Sequence, residues 1–206
     1  MDIDNDTEAG AESIPQLRVR IAACRVCAVH LPLGCRPVVQ IGSGARIVII
    51  GQAPGTKVHA SGVPWDDASG ERLREWLGIG ASDFYDPEQI ALTPMGFCYP
   101  GVVPGGGDKP PRPECAPLWH ERIGRALPQV RLTLLIGLYA QATYLGSRRG
   151  STLTDTVRRS AEYLPRYLPL PHPSWRSTGW MRRNPWFEAD ILPILRSKVA
   201  ESLIQD

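Results

Sequence analysis

No stretch of this chain is apolar for long enough to cross a bilayer: the longest β-branched run, at residues 47–50, falls far short of the ~20 residues a spanning helix needs. The acidic start, with Asp2, Asp4, Asp6 and Glu8, lacks the basic and apolar regions of a secretory signal. Both absences lead to the expectation of a cytoplasmic protein with no membrane partner. Charge of one sign is also scarce, since a net charge of +2 does not by itself advertise a polyanionic ligand. The five cysteines are an odd number. An intracellular setting disfavours structural disulfides, which leaves metal ligation or simple burial. The sequence holds no internal repeat.

What is present fits one domain: 206 residues, 43% of them hydrophobic, suffice to bury a sizeable core. Twenty prolines and twenty glycines imply fixed loops and short regular elements. Residues 1–13 are polar, acidic and without periodicity, and are expected to form a flexible tail ahead of a domain over residues 14–206. Arginines gather in the C-terminal third, at Arg148, Arg149, Arg158, Arg159, Arg176, Arg182 and Arg183. They form either a phosphate-neutralising surface or an ordinary solvated face.

Residues 46–50, 89–95, 131–136 and 168–170 read as short buried strands. Helical patterns cover residues 16–23, 69–77, 113–127, 138–145 and 185–203, with Gly78 suited to end the second of them. Strand and helix alternate, which implies a three-layer α/β/α domain around a central, mostly parallel four-stranded sheet. In such sheets a ligand binds outside the carboxyl ends of the strands. Three unusual loops follow expected strands there, at residues 51–55, 96–100 and 172–175.

The first of these, Gly51-Gln52-Ala53-Pro54-Gly55, is a tight turn whose glycines let backbone N–H groups approach a ligand. It lacks the lysine and Ser/Thr of a phosphate-binding P-loop. The third, His172-Pro173-Ser174, sets an imidazole at the mouth of the same sheet, although a lone histidine is more often structural than functional.

Together the two loops resemble the signature motifs of the uracil-DNA glycosylase superfamily. The resemblance runs from about Cys24 to Trp175, and Asn184-Pro185-Trp186-Phe187 looks like a subgroup feature. The sequence is most similar to the iron-sulfur branch often called family four, whose first motif reads Gly-Glu-Ala-Pro-Gly. Activity, substrate and site follow as implications of that resemblance: a monomeric DNA-repair hydrolase that cuts the N-glycosidic bond of uracil, or of a related deaminated base, and leaves an abasic site. In that branch four cysteines hold a four-iron four-sulfur cluster. Cys24, Cys27, Cys98 and Cys115 occupy similar places here, with Cys35 as the spare, and soft thiolates suit such a core. Burial as small apolar side chains is the alternative. Phe97 and Tyr99 stand where the branch carries basic and polar residues.

Excision passes through a cationic sugar and an anionic leaving base. By resemblance His172 donates a hydrogen bond to uracil O2, with a backbone N–H of the Gln52-Ala53 turn beside it. The motif acid is replaced by Gln52, which can orient a water but is a poor proton acceptor. His59 is the expected second catalytic group, with Asp66 and Asp67 as other neighbours. Trp65 holds the aromatic position expected to stack on a flipped base, a core tryptophan being the alternative. The uracil-reading asparagine is replaced by Pro94, which shifts recognition to backbone groups of Met95 or Gly96. Trp175 and Arg176 fit a duplex-probing wedge, and Ser69 and Ser174 fit phosphate contacts. No motif lysine is placed for a Schiff base, Lys57 being the nearest, so no lyase activity is expected. A covalent product adduct would need a histidine or basic run that residues 104–112 lack. The rival reading is a catalytically weak or inactive damaged-DNA-binding module of the same fold.

Overall fold

The computed structural model describes residues 12–204. Strand β1 (Ile47–Ile50) is wholly apolar and β-branched, the composition a strand needs when both its faces are covered. It lies between β2 (Ile90–Leu92) and β3 (Leu132–Ile136), and β4 (Tyr167–Leu170) completes an all-parallel sheet of order β2-β1-β3-β4. The three-layer α/β arrangement is therefore as the alternation of elements implied. Successive β1 side chains point to opposite layers. Ile47 and Ile49 join the cluster of α3 (Ala68–Leu77) and α9 (Leu192–Leu203), while Val48 and Ile50 face α5 (Cys115–Arg125) and α6 (Leu138–Leu145).

Helix α1 (Ile14–Ala22) starts where Ser13 and Gln16 form a capping box. Of the thirteen residues expected to be a flexible tail, the first eleven lie outside the described residues. Glu12 binds both Arg20, at 2.6 Å, and Arg122 of α5. Helix α3 begins at the Asp67 cap and ends at Gly78 in the left-handed region, as its glycine promised.

Four helices escaped the periodicity argument: α2 (Thr56–Ser61), α4 (Ala81–Phe84), α7 (Leu153–Arg158) and α8 (Ser177–Arg183). Each spans two turns or fewer, too short for a 3.6-residue repeat to show. The C-terminal helix is not continuous over residues 185–203. Residues Phe187–Ile191 form a π-helical turn before α9, because Pro193 has no N–H to give to the carbonyl four residues back and its ring crowds that position. Strand β2 is shorter than residues 89–95, although Thr93 N still donates to Ile49 O at 3.0 Å; Pro94 has no N–H to offer on the outer side, where Leu92 N meets Gln40 O.

Both sheet edges carry modifications. Gln40 bridges antiparallel to Leu92 through backbone bonds of 3.0 and 2.8 Å, covering the outer side of β2. In β4, Pro169 turns its missing N–H away from β3 and its carbonyl accepts from Ser160 Oγ at 3.2 Å. Among the described residues no helix is long and apolar enough to cross a membrane.

Candidate active site

The loops after β1, β2 and β4 converge at the carboxyl ends of the strands on one open cleft of about 580 Å³. Gly51 is forced by its neighbour: a Cβ there would lie 2.7 Å from Cζ2 of Trp65. Gly70 makes the same concession to the Trp65 backbone, and Trp65 itself adopts φ 58°. So fixed, the indole stacks on the His172 imidazole, centroids 5.7 Å apart at 29°. Trp65 therefore lines the cleft, in the place expected of a base-stacking ring.

His172 follows β4 and is anchored on two sides. Ser177 Oγ donates to its carbonyl, and Arg72 of α3 donates to Ser174 O at 2.7 Å and to Thr178 Oγ1 at 3.3 Å. Burial pushes the His172 pKa below the ordinary histidine value, while the charges of Asp67 and Asp108 pull partly back. The ring is thereby kept neutral, with one N–H to donate near neutral pH.

The segment after β2 is bound to the first loop by its backbone. Met95 N donates to Gly51 O at 2.9 Å and Gly96 N to Gln52 O at 3.0 Å. These N–H groups are already used, and neither residue lines the cleft, so the expected base reading by Met95 and Gly96 has no free donor there. Pro94 does line it, and its carbonyl accepts from His120 Nε2 at 3.1 Å. That fixes the tautomer: Nδ1 accepts from the Tyr144 hydroxyl at 2.7 Å.

The next segment is a hairpin that sequence reasoning missed. Val102 bridges Asp108, Lys109 N donates to Gly101 O at 2.8 Å and Val103 N to Gly107 O at 2.9 Å. Gly105, Gly106 and Gly107 take φ between 88° and 105°, which closes the turn. Val103, Gly106, Gly107 and Asp108 join the cleft wall. The run of three glycines before an aspartate, in a loop after a strand, was the available signal. Gln52 grips this hairpin, its Nε2 donating to Lys109 O at 3.1 Å.

Gln52, Ala53, Trp65, Ser69, His172, Ser174, Trp175 and Arg176 thus meet in one cleft. Trp175 is 76% exposed, with the Arg176 guanidinium 5.4 Å from its ring centroid. His59 is not brought in. It lies in α2 with its ring 5.9 Å from Tyr99 and its Nδ1 buried without a partner among the described residues, because the helical turn aims it behind the first loop. Of the expected basic surface, Arg159 is occupied by Glu162 at 2.7 Å and Arg158 lies over Trp186. Arg182 and Arg183 end α8, just beyond the exposed tryptophan.

A second, smaller enclosure brings Cys24, Cys27, Cys35, Cys98 and Cys115 together with Phe97, Arg112 and Trp119. All five are free thiols. Burial raises Cys98 to about 11 and Cys115 to about 12. Among the described residues no three metal-binding side chains converge on a single ion position. A mononuclear site would need ligands about 2.3 Å from one centre, whereas a cubane core spreads its thiolates around itself.

The α/β sheet thus carries at its carboxyl ends a cleft walled by a glycine loop, a stacked Trp–His pair and an exposed aromatic. The family description "Uracil DNA glycosylase superfamily" matches residues 39–196, and the chain belongs to that superfamily. Membership carries glycosidic-bond hydrolysis in DNA repair as its general activity.

Proposed function

We propose that the protein excises uracil or a related deaminated base from DNA by hydrolysing the N-glycosidic bond, leaving an abasic site without cutting the strand. The observation that carries this reading is the meeting of the two motif loops across Trp65, whose ring packs on Gly51 of the first and stacks on His172 of the second. A base flipped into the cleft has the indole as a stacking surface. The neutral His172 N–H would stabilise charge developing on uracil O2, together with a backbone N–H at Ala53. Trp175 fills the gap left in the duplex and Arg176 holds a flanking phosphate. Ser69, in the first turn of α3, and the Ser174 hydroxyl serve the same backbone. No lysine is among the residues lining the cleft, which argues against Schiff-base strand cleavage.

The residues of the thiol enclosure fit an iron-sulfur cluster. Cys24, Cys27, Cys98 and Cys115 would hold it, and it would supply structural crosslinking of α1 to the segment after β2. Arg112, paired with Glu114 at 2.5 Å, lies against the enclosure.

The test is release of free base, with enzyme in excess, from oligonucleotides bearing uracil, hypoxanthine or xanthine. Wild type should release at least one, and His172→Ala should be slower by about 100- to 1,000-fold. Binding without release by wild type would instead identify an inactive damaged-DNA-binding module.

A further inference from the structure

The cleft has no carboxylate at the first motif, where Gln52 stands, yet two carboxylates line it: Asp67 and Asp108. Asp67 is committed to the fold. Its Oδ1 accepts from Gly70 N at 2.9 Å and fixes the start of α3. Asp108 is different: it is exposed at the base of the glycine hairpin, and among the described residues its side chain has neither a hydrogen bond nor an ion pair. Its position is nevertheless well defined. The backbone bridge to Val102 and the Lys109-to-Gly101 bond hold it from one side, and the Gln52 clamp on Lys109 holds the adjoining peptide from the other. Its charge also reaches the His172 imidazole across the cleft.

From this geometry we propose that Asp108 is the catalytic carboxylate of the site, supplied by the hairpin in place of the acid absent from the first motif. The proposal rests on the glycosylase reading above and assigns its missing general base. The amide of Gln52 then has a distinct task. Its N–H holds the loop that presents the acid, so that the residue at the acid's usual position works as a clamp.

In the reaction, the C1′–N1 bond breaks and its electron pair leaves with the base as an anion, held at O2 by His172. A water oxygen bonds to C1′ and the surplus water proton passes to the Asp108 carboxylate. That proton then returns to the departing base or to solvent, so the sum is nucleotide plus water giving abasic sugar plus free base. Before water attacks, the same carboxylate lowers the energy of the cationic sugar. Asp108 is well suited to this because no protein group competes for its lone pairs.

The experiment compares wild type, Asp108→Asn and Gln52→Ala for single-turnover base release and, separately, for affinity to DNA carrying an uncleavable analogue. Asp108→Asn should slow release by about 100-fold or more, the range for losing a general base. It should bind DNA as tightly as wild type or more tightly, since a negative charge beside phosphates has been removed. Gln52→Ala should slow release by about 10- to 100-fold as the hairpin loosens, seen as faster hydrogen exchange over residues 101–109. Asp108→Asn at the wild-type rate, a rate loss explained wholly by weaker binding, or a loosened Gln52→Ala hairpin with the rate intact would each overturn the role of Asp108 alone. A wild type that releases no base would overturn the glycosylase reading itself and this assignment with it.

Discussion

The indole of Trp65 lies on the imidazole of His172, 5.7 Å between centroids, and it reaches that position only because Gly51 has no side chain. Residues far apart in the chain thus form one surface. Gly51→Ala should drive the Trp65 ring away from His172, because the new Cβ would fall 2.7 Å from the indole. We expect a stability loss of about 1–3 kcal/mol in urea unfolding, as for other overpacked sites, and slower base release even in the fraction that folds. Wild-type rates in this variant would detach the stacked pair from function.

Two half-hidden histidines make stability depend on pH. Burial lowers the pKa of both His120 and His172 from the ordinary value of 6.5, so the unfolded chain binds protons more readily than the folded one. Stability from this source is complete above pH 6.5 and declines as pH falls through the window below it. Urea midpoints should drop accordingly on acidification. Tyr144→Phe, which strips His120 Nδ1 of its donor, should cost about 1–3 kcal/mol at neutral pH. A midpoint independent of pH between 7 and roughly 5 would contradict this account.

Trp175 stands 76% exposed with Arg176 against its ring, so its removal should leave thermal stability unchanged within about 0.5 kcal/mol. Its effect should appear in duplex DNA, where unstacking must be offset, and much less in single strands. We expect Trp175→Ala to slow release from duplex by about 10-fold more than from single strands, a gap of about 1.4 kcal/mol. Equal losses on both substrates would remove the wedge role.

The thiol enclosure gives a colour test. Protein purified without oxygen should be brown from sulfur-to-iron charge transfer and should contain iron and sulfide, and Cys35→Ser should keep the colour. Cys98→Ser should lose it. Colourless, iron-free wild type that folds normally would show the five thiols to be buried apolar side chains.

The strands and the long helices were legible in the sequence because each rests on a local signal: the β-branched run of β1, Gly78 at the end of α3, the apolar stretch of β3. The strand order, which depends on contacts distant in the chain, was not. Most of the cleft was legible too, since the Gly51 and His172 loops follow strands and a parallel sheet gathers such loops at one end. Orientation was not. His59 sits four residues beyond Gly55, near the site in sequence, yet the intervening turn of α2 rotates it toward Tyr99. The N–H groups of Met95 and Gly96 could not be known to be occupied without the cross-loop bonds to Gly51 and Gln52. Asp108 was hidden for the opposite reason. It lies in the segment judged from its missing histidine and basic run, whereas its position over the cleft depends on a glycine turn closing and on Gln52 reaching Lys109.

Pro169 and the Gln40 bridge bear on a different hazard. A four-stranded parallel sheet has two open flanks, each a template on which a second polypeptide can grow a strand. Here one flank is roofed by the chain's own backbone and the other lacks a donor at its middle, with the buried Pro169 carbonyl taken by Ser160. Crowded copies of this protein, drawn close together along one polyanion, therefore have no ready flank on which to zip into fibrils.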